Sequence, residues 1–141
     1  RVLFTADLVN NKTVPVLYQG GIDSWIDQLR GLRARFPDAE TIAPGHGAPG
    51  PFDELVADEI AWLSLFRDQV QDALWQGDGN VTAEGAGAVR AAMTDAFPDW
   101  RTSAGVPSRD ALIDLNIGWT LRGWRLAEDG GGPRQFREDA E

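Results

Sequence analysis

Only two stretches of this chain read as β-strand, Val2–Thr5 and Thr41–Ala43, and a single amphipathic helix separates them. Everything after the second stretch is helical in pattern. Two strands this short cannot make a stable sheet unaided, so the fold needs strands or cover from elsewhere. The order strand, helix, strand, then three helices places the chain in the α/β class, with few short strands and mostly helices. An apolar strand at residue 2, with no polar lead-in and no leader, makes us expect further sequence upstream.

The helices are read from apolar spacing. Ile22, Trp25, Ile26, Leu29, Leu32 and Phe36 recur at intervals of three and four, with Asp23 or Ser24 available to cap and Pro37 as the stop. After the rigid Pro49-Gly50-Pro51 loop, Phe52, Leu55, Val56, Ile60, Leu63, Phe66, Val70 and Leu74 make one continuous stripe that ends at Gly77. The acids Asp53, Glu54, Asp58 and Glu59 are assigned to capping and to the solvated face of that helix. Thr82 opens a weaker helix through Val89, Met93 and Phe97, closed by Pro98. Ser108 opens the last helix, whose apolar residues cover more than one face and predict burial. One domain is expected over 1–127, its helical extension starting at about 51, followed by a mobile tail over 128–141.

Composition excludes several function classes. With 22 acids against 13 bases the net charge is −9, a field that repels phosphate backbones, so no nucleic-acid partner is expected. No apolar run approaches the roughly 18 residues of a membrane span. Cysteine is absent, which removes disulfides, thiolate zinc sites and a cysteine nucleophile.

Two residues carry candidate chemistry. His46 is the only histidine, and it lies between two glycines in a turn that leaves the second strand, Pro44-Gly45-His46-Gly47. Imidazole there can face a ligand, and it is the commonest nitrogen ligand for zinc. Asp7 follows the first strand, at the end where α/β folds place functional groups. Adjacent strands joined by one helix would bring Asp7 and His46 to one rim. The tryptophans are assigned mainly to the core, with Trp100, flanked by Asp99 and Arg101, nominated for substrate or partner contact.

The run Val2-Leu3-Phe4-Thr5-Ala6-Asp7-Leu8-Val9, the helix from Ile22, and Thr41-Ile42-Ala43-Pro44-Gly45-His46-Gly47 together resemble the C-terminal half of metallo-β-lactamase-fold hydrolases. The match extends over roughly residues 2 to 75. The resemblance implies part of an αββα sandwich, with Asp7 as the carboxylate bridging two metals and His46 as the terminal ligand of the second. It implies two zinc ions per complete domain, iron or manganese in some branches. The reaction implied is hydrolysis of an ester-, thioester- or lactam-like bond in a small-molecule substrate, by a hydroxide that the metals share. Two departures stand out. Ala6 replaces the family's usual glycine, and the His-x-His-x-Asp-His signature is absent, since the family carries it N-terminal to the Asp7 strand. This segment alone is therefore expected to bind metal weakly or not at all and to be inactive.

Half a sandwich leaves apolar strand faces and edges uncovered. The missing N-terminal half or another copy of the chain is expected to cover them, which predicts a homo-oligomer for the segment alone. The competing reading is a non-enzymatic helical interaction module derived from the same fold.

Overall fold

The computed structural model describes residues 1–18, 21–102 and 105–126. The tail expected to be mobile lies outside the described residues. The architecture is mixed α/β and mostly helical. Its elements are β1 (Val2–Asn10), α1 (Ile22–Arg35), β2 (Thr41–His46), β3 (Gly50–Pro51), α2 (Phe52–Gln76), α3 (Ala83–Ala96) and α4 (Arg109–Leu126). No helix among the described residues is long and apolar enough to cross a membrane.

β1 and β2 pair in parallel, joined by α1 as parallel strands require, and the short β3 turns back antiparallel on β2. The sheet order β1-β2-β3 leaves β1 at an edge. Both main strands run further than their apolar residues predict, to Asn10 and His46. Within β1 the apolar Val2 is 56% and Phe4 83% exposed. The cause is the period of two: Leu3 packs on the core, and Val2 and Phe4 point to the other face.

The core is a single cluster running from Val9 to Ile117. At its centre Trp62 is stacked between Phe66, at 5.1 Å, and Trp100, at 6.0 Å. Trp100, read as a contact residue from its charged neighbours, is thus 7% exposed and a core residue. Trp75 departs in the opposite direction: on the last turn of α2, beyond the packed stripe, it is 88% exposed.

The buried stripe of α2 is Phe52, Leu55, Glu59, Trp62, Leu63, Phe66, Val70 and Ala73. This stripe is rotated from the expected one, and Val56, Ile60 and Leu74 are only partly buried. Glu59, placed on the solvated face by sequence, is completely buried.

Side chains cap two of the four helix starts; α2 begins after Pro51 with no side-chain cap, so the capping expected of its first-turn acids does not form. Thr82 Oγ1 accepts from Gly85 N at 3.1 Å and Ser108 Oγ from Ala111 N at 3.1 Å, so both predicted caps form. At α1 the cap position is Gly21, and neither predicted side chain caps it. Ser24 Oγ instead donates to Gly21 O at 2.8 Å, and Asp23 accepts from Arg67 of α2 at 2.9 Å.

Candidate functional site

The site begins with an irregularity in β1. Between Phe4 and Asn10 that strand has three more residues than β2 has between Ala43 and His46, so the ladder breaks around Ala6 and again before Asn10. Ala6 faces Pro44, which has no N–H to donate, and this is where regular pairing fails. Bulges of this kind re-aim side chains. Here Asp7 is carried on the bulge at the C-terminal end of β1, beside the end of β2.

Ala6 adopts the left-handed conformation, with φ 45°. That conformation disfavours an L-residue by roughly 1–2 kcal/mol, against a glycine entropy penalty of about 0.5–1 kcal/mol. Ala6→Gly is therefore expected to raise stability by about 0.5–1 kcal/mol in urea unfolding; a lower urea midpoint would show that this backbone is not strained.

Polar contacts hold the bulge. Trp25 Nε1 donates to Leu8 O at 2.8 Å, which makes this tryptophan a pin between α1 and β1. Asn10 Nδ2 reaches Asp7 O at 3.5 Å, a long contact, and Glu59 Oε1 at 3.0 Å, while Asn10 N donates to Glu59 Oε2 at 3.2 Å. Asn10 also faces His46 in the strand register, and Asn11 N donates to His46 O at 2.9 Å.

The result is a close approach of the two predicted residues: Asp7 Oδ1 lies 3.5 Å from His46 Nε2. The side chains are 80% and 41% exposed, so the rim is open to solvent. At 3.5 Å the pair is longer than a good N–H···O hydrogen bond. The glycines around His46 are needed for this approach. A Cβ on Gly45 would run into Asp7 Oδ1 and the Ala6–Asp7 backbone, and one on Gly47, at φ 90°, would strike Asn11 O.

The donor set fits part of a metal site. Two ligands of one tetrahedral zinc stand roughly 3.3–3.4 Å apart, given metal–ligand bonds of about 2.0–2.1 Å. The 3.5 Å separation is close to that, and an exposed carboxylate beside an imidazole is suitable chemistry. Two donors fall short of the three or four protein ligands that zinc sites use, and no group of three His, Asp or Glu able to hold a metal occurs among the described residues.

Sequence reasoning missed Glu59 and its partner Asn10. Burial raises the Glu59 carboxyl from 4.5 to about 8, against the lowering effect of the two hydrogen bonds from Asn10. The signal was present: Glu59 lies four residues after Leu55 and three before Trp62, on the buried spacing itself. Also missed was an open cleft of about 620 Å³ beside the rim, between the Asn11–Thr13 and Gly47–Ala48 segments and residues 98–101. Trp100 forms part of its wall.

Comparison with protein-family models, curated proteins and solved structures found no match to this chain.

Proposed function

We propose that this chain is the C-terminal part of a metal-dependent hydrolase of the metallo-β-lactamase fold, to which it contributes Asp7 and His46. The observation that supports this reading is the 3.5 Å approach of Asp7 Oδ1 and His46 Nε2, from the ends of neighbouring parallel strands. Asp7 has two carboxylate oxygens on an exposed bulge and can address two cations at once. His46 offers an imidazole nitrogen, and Gly45 lets the two donors approach. Two zinc ions, or iron or manganese, would when bound lower the pKa of a shared water toward neutrality and supply the nucleophile. Asp7 would orient it toward an ester-, thioester- or lactam-like bond. The remaining ligands would come from sequence N-terminal to Arg1, which would also cover the exposed Val2–Phe4 face and complete the αββα sandwich. A second copy of the chain is the other cover for that face.

The test is metal analysis of the complete gene product, followed by an ester, thioester and lactam panel. Two metals per chain are expected. Asp7→Ala and His46→Ala should each lower metal affinity by more than the roughly 10- to 100-fold typical of changes one shell further out. Full metal content and full activity in both variants would refute the assignment.

A non-enzymatic interaction module is the second reading, and the bare edge and exposed Phe4 of β1 favour it. A His-x-His-x-Asp-His motif in the upstream sequence separates the two readings, since only the hydrolase requires it.

A further inference from the structure

The cleft beside the rim is lined by two cations and one acid, and its cations, like the exposed Arg35, Arg122 and Arg125, are in no ion pair among the described residues. Arg33, Arg67 and Arg90 each pair with an aspartate, as expected in so acidic a chain. Lys12 and Arg101 are exposed, and neither is in an ion pair among the described residues. Both line the cleft. Their backbones are bonded to each other: Arg101 N donates to Lys12 O at 2.9 Å, Val14 N donates to Arg101 O at 2.9 Å, and Thr13 and Arg101 form a parallel bridge. Two flexible cations are thus rooted on adjacent, fixed backbone. The one acid in the cleft lining is Asp99, which leaves a local excess of one positive charge in a protein of net charge −9. Such a spot is where an anion can settle despite the overall field.

We infer that this cleft binds the carboxylate or phosphate group of a small organic anion, held between the Lys12 ammonium and the Arg101 guanidinium. Arg101 can take two anion oxygens at once through its planar fork, and Lys12 supplies a mobile point charge. The floor formed by Gly47 and Ala48 follows His46 directly. The binding needs no metal and is independent of the hydrolase reading; on that reading the anion is the handle by which the substrate is positioned.

The test is an amide chemical-shift titration of this chain at pH 7, with inorganic phosphate and glutarate as separate probes. Ionic strength is held with sodium chloride at about 0.1 M, so that exposed charges further apart than about 10 Å are screened alike. Saturable shifts confined to residues 11–13, 47–48 and 99–101 are expected. A response to phosphate alone identifies a phosphate group as the handle, and a response to glutarate alone a carboxylate. The double variant Lys12→Gln, Arg101→Gln should weaken binding at least tenfold. Lys12→Arg should keep it within about twofold, and Asp99→Asn should tighten it two- to threefold; these two variants leave the backbone bridge intact and guard against a folding artefact. Shifts that fail to saturate, that spread over every basic residue, or that persist unchanged in the double variant would overturn the proposal.

Discussion

Glu59→Gln is expected to abolish a loss of stability that the natural protein suffers between about pH 4.5 and pH 8. The carboxyl is fully enclosed, and burial lifts it from 4.5 in the unfolded chain to about 8 in the folded one. Below pH 4.5 it is protonated in both states and titration contributes nothing. As pH rises through the window, the unfolded chain releases the proton while the folded chain retains it. Stability then falls by about 1.4 kcal/mol per pH unit, because the folded state binds more protons. The loss is complete above pH 8 and amounts to roughly 4–5 kcal/mol. Glutamine has the same shape and no proton to lose. A half-turn of the Asn10 amide presents its oxygen to the new Nε2, as it would to the O–H of the neutral acid. Urea unfolding at pH 5, 7 and 9 should therefore give curves that diverge with pH, the variant being the more stable at pH 9. Parallel curves would mean that Glu59 ionises without penalty in the fold.

Trp62→Ala should come close to unfolding the protein. Trp62 is 1% exposed and lies nearly parallel to both Phe66 and Trp100. Removing a buried tryptophan typically costs about 3–5 kcal/mol, against a total stability of roughly 5–15 kcal/mol for a domain of this kind. Trp62→Phe keeps a ring in the stack and should lose less than half as much. Denaturant midpoints measure both, and a loss under about 1 kcal/mol for alanine would place the centre of the core elsewhere.

These two residues also show how far the sequence could be read. Trp62 was legible as one of the tryptophans assigned to the core, although the stripe read for α2 did not include it. Glu59 has the same spacing, but its charge suggested solvent; only the buried Asn10 opposite, 49 residues away, makes its position tenable. The strand–helix–strand order and the meeting of Asp7 with His46 could be anticipated from two strand ends joined by one helix. The β1 bulge that sets their spacing could not, since it depends on Pro44 lying opposite Ala6 and on Trp25 reaching back to Leu8. Trp100, which lines the cleft, was legible only as a contact residue and not as part of the core. Its sequence neighbours Asp99 and Arg101 are exposed, while its ring packs on α2, and local composition does not report that contact. The Lys12–Arg101 pairing is equally non-local.

The late helices are fastened to the chain's first twenty residues. Asn116 of α4 donates to Pro15 O at 2.8 Å and accepts from Leu17 N at 2.9 Å, and residue 101 is stitched to Lys12 and Val14. A chain severed after Gln76 would keep the Asp7–His46 pair yet strip the cover from Trp62 and leave the Pro15–Leu17 segment without its buried partner. The helical region is thus packed into the same core as the strands, and a cut at residue 51 or 76 would expose buried side chains on both sides of it.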